Sequence, residues 1–259
     1  MGLGLQRAET SAVDIQSFSV LHCLNEQPAQ AAGPDGSSER RETPAVDRFP
    51  RLTDALARTM TARDAQTQQH SQRVQRFALS LAREAGITDS VLLEAIDGAA
   101  LLHDIGKLGI PDLVLQKPGP LTRNEYNIVK QHVIIGADIL SAAAFPGPLA
   151  LIVRHHHENW DGSGYPDGLR GQAIPVGARV LAIVDCFDAL TSDRPYRRAQ
   201  SQGSAVAMIH ERRGTMFDSE IAAAFLGIVQ RLRSASAPER ADLAQALAHA
   251  PCRLEARAL

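Results

Sequence analysis

Leu101-Leu102-His103-Asp104-Ile105-Gly106-Lys107 closes an apolar run with a histidine, an aspartate, a glycine and a lysine in quick succession. On a helix, Leu92, Ile96, Ala99 and His103 share one face by the i, i+3, i+4 rule, so His103 points inward. Burying an imidazole beside a carboxylate is costly unless both are paired or bound to a metal. The dipeptide alone therefore allows two readings, a core ion pair between His103 and Asp104 or a pair of metal ligands.

The flanking sequence is helical in period. Upstream, Leu52, Leu56 and Met60 mark a first helix, and Val74, Phe77, Ala78 and Leu81 a second that ends at Gly86, a residue suited to a C-terminal cap. Thr88 or Asp89 opens the helix that delivers His103. Downstream, Gly109-Ile110-Pro111 and Lys117-Pro118-Gly119-Pro120 make a loop. Thr122-Arg123-Asn124-Glu125 is a capping box, opening a helix that carries His132 and runs to about Leu140. Pro148 precedes a helix ending in His155-His156-His157. After a polar loop from Glu158 to Pro175, helices are expected over Val176 to Leu190, Ser204 to Arg212 and Asp218 to Leu232. The fold class is all-α.

Residues 1–45 lack periodicity and read as a flexible segment. A helical domain spans 46–235, and 236–259 is a peripheral helical extension centred on Pro238 to Ala248. Hydrophobic residues make up 44% but aromatic ones only 4%, so the core is expected to consist of Ala, Leu, Ile and Val. The net charge of −2 leaves no broad basic face for duplex nucleic acid. The three cysteines, Cys23, Cys186 and Cys252, suggest no disulfide framework. Pro146, Gly147 and Pro148 interrupt the longest apolar stretch, so no membrane span is expected, and the location is read as cytoplasmic.

Six of the nine histidines, His70, His103, His132, His155, His156 and His157, fall on or beside four expected helices, with Asp104 and Asp185 adding carboxylates. Imidazoles and carboxylates without thiolates suit a hydrolytic site holding iron, manganese, nickel or zinc. So many ligands exceed one tetrahedral ion, and two cations bridged by Asp104 fit better. Such pairs, roughly 3.5–4 Å apart, can clamp the attacking and leaving oxygens of a phosphate displacement. Lys107, a flexible point charge just past the helix end, suits a phosphate oxygen, though a solvent-facing lysine is the plain alternative. A second motif, His156-His157-Glu158-Asn159-Trp160-Asp161-Gly162-Ser163-Gly164-Tyr165-Pro166, has two glycines that free the backbone and a proline that stiffens its exit.

Together these pieces resemble the HD-GYP domain, a branch of the HD superfamily whose members hydrolyse the bacterial messenger cyclic di-GMP. The similarity runs through His70-Ser71 with Arg73-Val74 following, Leu102 to Pro111, Lys117-Pro118-Gly119, Lys130-Gln131-His132, His156 to Gly168, Ile174-Pro175, Val184 to Thr191 and Asp193 to Arg197. It covers about residues 50–230, with Gly214 to Asp218 fitting the closing element.

The resemblance implies an HD-superfamily helical bundle with a metal site in its core. It implies His70, His103, Asp104, His132, His156, His157 and Asp185 as ligands of two divalent ions, iron or manganese. Asp104 and Lys107 would carry catalysis, and Lys107, Asp188, Arg194, Arg197 and Tyr165 would contact the substrate. Cyclic di-GMP would be cleaved to pGpG, with GMP as a further product. Some relatives hold a third ion with a glutamate one turn before the first histidine; Gln66 stands there, so two ions are expected. His155 has no place in the pattern and is expected in a supporting or exposed position, while Glu158 is expected to orient a histidine. A non-turning-over adaptor, a hydrolase of another cyclic dinucleotide, docking of protein partners at the Gly-Tyr-Pro loop, and a homodimer are the alternatives and associations left open.

Overall fold

The computed structural model describes residues 48–235 apart from 64, 146 and 194–197, and the side chains within that range except those at 48 and 61–68. The two flanking segments, Arg194, Arg197 and the Gln66 side chain thus lie outside the described residues.

Among the described residues ten α-helices follow in order: α1 Arg48–Arg63, α2 Ala65–Glu84, α3 Ser90–Leu102, α4 Asp112–Leu115, α5 Arg123–Lys130, α6 His132–Ala142, α7 Leu149–His155, α8 Val176–Thr191, α9 Gln202–Glu211 and α10 Ser219–Ser234. A 3-10 turn, Ile105–Gly109, follows α3. No strand occurs among the described residues; Arg213 and Phe217 form one isolated bridge.

Local chemistry sets the helix ends. Asp89 caps α3, its carboxylate accepting the Leu92 N–H at 2.7 Å. The expected capping box opens α5, where Thr122 and Glu125 satisfy each other's backbone N–H groups. One expectation fails here: the helix from Thr122 does not run unbroken to Leu140. The chain turns at Gln131, and the His132 imidazole takes the Val129 carbonyl at 2.8 Å.

The packing centres on α2, α3 and α8, with α7 against α3 and α8 and α6 against the 3-10 turn. Leu81, Ile96, Leu102, Ile152, Leu181 and Ile183 are fully enclosed, as the aliphatic-rich composition requires. The few aromatics are concentrated: Phe77 of α2, Phe187 of α8 and Phe225 of α10 pack ring to ring at 5.1–5.9 Å and join three helices at one point. Gly106 lets the 3-10 turn lie directly on α6, since a β-carbon there would overlap the His132 carbonyl oxygen and the Gly136 nitrogen. That contact brings His103, Asp104 and Lys107 up to His132. No helix among the described residues is long and apolar enough to cross a membrane.

Candidate metal centre

A helix leaves its last carbonyls without intrahelical donors. Three histidines use this. His103 donates Nδ1–H to Ala100 at 2.9 Å, His132 to Val129 at 2.8 Å and His156 to Val153 at 2.7 Å, each reaching three residues back at the end of α3, α5 or α7. The bond fixes the tautomer: Nδ1 keeps the proton, and the Nε2 lone pair projects away from the helix. All three lone pairs converge on one interior place.

Two clusters meet there. His70, His103 and Asp104 form one and His132, His156 and His157 the other, each with ligand atoms within 4.8 Å of one another. Asp104 faces both: Oδ2 lies 3.6 Å from His103 Nε2 and Oδ1 3.8 Å from His132 Nε2. Asp185 of α8 adds Oδ1 to the first cluster, 3.3 Å from His70 Nε2 and 3.8 Å from His103 Nε2. The His70 and His103 Nε2 atoms stand 3.2 Å apart, close to the separation of two nitrogens that share an ion at ~2.0–2.1 Å.

The donor set passes a direct test for a metal. His132 Nε2 and His156 Nε2 are buried and have no hydrogen-bond partner, an arrangement a folded chain avoids unless something else satisfies the lone pairs. Electrostatics point the same way. Burial holds the pKa of His132 and His156 below the ordinary imidazole value and that of His157 down to about 4, keeping their lone pairs free at neutral pH. Burial opposes ionisation of Asp104, but Lys107 and the imidazoles of His103, His132 and His70 outweigh it and hold the pKa well below the carboxylate range. The Asp185 carboxyl is also lowered, by His70 and His103 against the effect of burial. His70 differs. Burial opposes its charge, yet Asp185 and Asp188 raise its pKa to about 9.

The seven residues expected as metal ligands are thus brought together. Lys107 sits at their edge, its ammonium 2.6 Å from Asp104 Oδ2 and its side chain 40% exposed. Tyr165 stacks beside His157, ring centroids 5.0 Å apart, at the rim.

Asp188 differs from expectation. Rather than facing a nucleotide, it lies beneath His70 with its side chain only 1% exposed. Its carboxylate accepts from His70 Nδ1 at 2.6 Å and from Arg73 at 2.7 and 2.9 Å. Both oxygens are engaged inside the fold, and an enclosed carboxylate cannot reach a guanine edge. Arg73 had no assigned role, although the signal was present. His70 and Arg73 are three residues apart on α2, Asp185 and Asp188 three apart on α8, so each pair shares a helix face.

His155 and Glu158 are both enclosed and lie away from the two clusters, together with Asp167. Glu158 Oε1 lies 3.8 Å from His155 Nδ1.

The profile of the HD domain family matches residues 54–221. The chain belongs to the HD domain family. The resemblance to its HD-GYP branch holds as well. The chain is 44% identical over 173 residues to the cyclic di-GMP phosphodiesterase response regulator RpfG of Xanthomonas campestris pv. campestris, covering 66% of this chain and 46% of that protein. It is 37% identical over 173 residues to 3'3'-cGAMP-specific phosphodiesterase 3 of Vibrio cholerae, covering 67% of this chain and 37% of that one. The solved structure of Bd1817, an HDGYP-type protein of Bdellovibrio bacteriovorus, shares the fold with a TM-score of 0.52 at 20% identity, over 71% of this chain and 64% of that one. The HD chain thus spans less than half the length of these two curated relatives.

Proposed function

We propose that this HD-domain chain hydrolyses a phosphodiester bond of cyclic di-GMP, giving pGpG and, on further turnover, GMP. Two divalent ions, iron or manganese, would be held by His70, His103, Asp104, His132, His156, His157 and Asp185. The observation that carries the reading is Asp104, whose two carboxylate oxygens turn to different imidazole clusters. Held by these residues, a metal pair would supply an activated water and offset charge on the reacting phosphate.

The side chains do the rest. The tautomer-fixing bonds of His103, His132 and His156 hold the ligand geometry before substrate arrives. Asp104 stays ionised at any physiological pH. Lys107, partly exposed on a flexible stem, meets a phosphate oxygen and balances charge developing in the transition state. Tyr165 borders the nucleotide beside His157. Arg194 and Arg197 are kept as nucleotide contacts on the sequence alone. The catalytic unit is taken as residues 46–235, and a cytoplasmic location suits its substrate.

Anaerobic incubation of the metal-loaded chain with cyclic di-GMP tests this, with metal analysis and product separation on one sample. Release of pGpG with two equivalents of iron or manganese is expected. Binding of nucleotide and metals without any product would instead mark a non-catalytic adaptor. A second reading, hydrolysis of a hybrid cyclic GMP–AMP, is favoured by the Vibrio cholerae relative, and a panel of cyclic dinucleotides under the same conditions separates the two.

A further inference from the structure

The loop carrying Tyr165 begins and ends on a separate group of metal-binding side chains. His155 closes α7, Glu158 opens the loop and Asp167 follows the Tyr165-Pro166 pair. These three present ligand atoms within 4.8 Å of one another. His155 Nδ1 lies 3.8 Å from Glu158 Oε1 and 3.7 Å from Asp167 Oδ2. The Glu158 backbone N–H reaches His155 O at 3.0 Å, and Glu158 Oε1 accepts the Asp167 N–H at 2.8 Å, tying the two ends of the loop together.

Two features point to a missing partner. The Glu158 side chain is fully enclosed, and its Oε2 has no hydrogen-bond partner. His155 is 7% exposed, and its Nδ1, aimed at both carboxylates, also has none. A buried carboxylate with an unanswered oxygen is expensive unless a charge of opposite sign lies against it. The neighbouring guanidinium of Arg154 does not serve. Its Nε and Nη2 are both directed at Asp167, at 2.9 and 2.8 Å.

We propose that His155, Glu158 and Asp167 form a third cation site, taking a small divalent transition-metal ion such as zinc. One imidazole and two carboxylates match its ligand preference, and the outer edge at Asp167 is open for water to complete four-coordination. The nitrogen–oxygen separations exceed by a few tenths of an ångström the ~3.3 Å spanned by two ligands of a tetrahedral ion, so binding draws the three inward. Asp167 keeps its contact with Arg154, since each carboxylate oxygen has two lone pairs. The ion would staple the ends of the loop and so hold Tyr165 against His157. The proposal uses no residue of the two clusters and stands apart from their chemistry.

Zinc binding to the full chain decides it. Chelator-stripped wild type, Asp167→Asn and His155→Gln would each be loaded with zinc, desalted and assayed for bound metal. Trp160, the one tryptophan in the chain and two residues from Glu158, reports by fluorescence. Both variants should bind one equivalent less than wild type and lose the Trp160 response to that equivalent. Asp167 is partly exposed, so Asp167→Asn leaves the core intact should His155→Gln fold poorly. Crystals of the full chain soaked in zinc should show an anomalous peak among the three side chains. Equal stoichiometry in wild type and Asp167→Asn, or no such peak in crystals whose two-cluster site is filled, would overturn the assignment.

Discussion

Asp188 accepts the Nδ1–H of His70 at 2.6 Å while Arg73 closes on the same carboxylate from the other side, so the buried acid of α8 aims the Nε2 of a histidine on α2. A carboxylate behind a metal-binding imidazole sets its orientation and strengthens its lone pair. Asp188→Asn removes the charge, and its amide nitrogen must face either Arg73 or His70, donor against donor. Metal affinity should fall about 10–100-fold, as read by competition titration. Nucleotide binding to a fully metal-loaded sample should change little. Weak nucleotide binding with normal metal affinity would restore Asp188 to the substrate.

His70 governs how metal uptake depends on pH. Before an ion binds, burial disfavours its cation, but Asp185 and Asp188 more than compensate, raising the pKa from 6.5 to about 9. His132, His156 and His157 are shifted the other way and carry no proton to displace at neutral pH. Binding at His70 therefore releases a proton, and affinity should climb by up to about tenfold per pH unit from 6.5 towards 9, then level off. Stability of the metal-free chain runs in the opposite direction. The folded-state pKa is raised, so the His70 contribution is full below pH 6.5 and is lost as pH rises through 9. Metal titrations and melting curves over the same buffers would expose the opposed slopes, which His70→Ala should flatten in both.

Lys107 and Asp104 touch at 2.6 Å but have separable duties. Asp104 faces both clusters, so Asp104→Ala should reduce bound metal and abolish turnover together. Lys107→Ala removes none of the seven proposed metal ligands. If Lys107 meets the phosphate as proposed, losing its charge should lower kcat by about 10²–10³-fold with metal content unchanged. Parallel metal analysis and initial rates distinguish the two, and loss of metal from Lys107→Ala would give the lysine a structural role instead.

Much of this was legible because periodicity and chemistry coincide. The apolar face through Leu92, Ile96 and Ala99 aims His103 inward, and α3 starts at the Asp89 cap that its sequence advertises. The six residues besides Asp104 named as metal ligands also meet it, drawn from α2, α8 and the ends of three other helices. The break at Gln131 was hidden because its cause is a side chain, His132, competing for a backbone carbonyl. The enclosure of Asp188 beneath His70 is not legible because sequence distance says nothing of burial. Asp188 becomes an internal partner only once α2 lies on α8. His155 drew little attention for the same reason, since its company at Asp167 depends on the path of a loop.

Gly106 is where the two halves of the site touch, and its lack of a side chain is a requirement of space. An added methyl would overlap the His132 carbonyl oxygen and crowd the Gly136 nitrogen, both backbone atoms that no rotamer change can move aside. Gly106→Ala must therefore lift the Ile105–Gly109 turn off α6, carrying Asp104 away from His132. Such overpacking costs about 1–3 kcal/mol, and at about 2–4 °C per kcal/mol for a domain of this size the melting temperature should fall by several degrees. Metal content should fall with it, because the separated turn takes the shared carboxylate out of reach of the second cluster. Gly86→Ala is the control. That glycine has φ +83° with nothing within 4 Å of a β-carbon, so alanine there should cost roughly 1 kcal/mol in backbone strain yet leave metal uptake at the wild-type level. Metal analysis and thermal melts on the pair separate a local defect in the site from general loss of stability, and equal metal loss in both would mean that Gly106 acts only through stability.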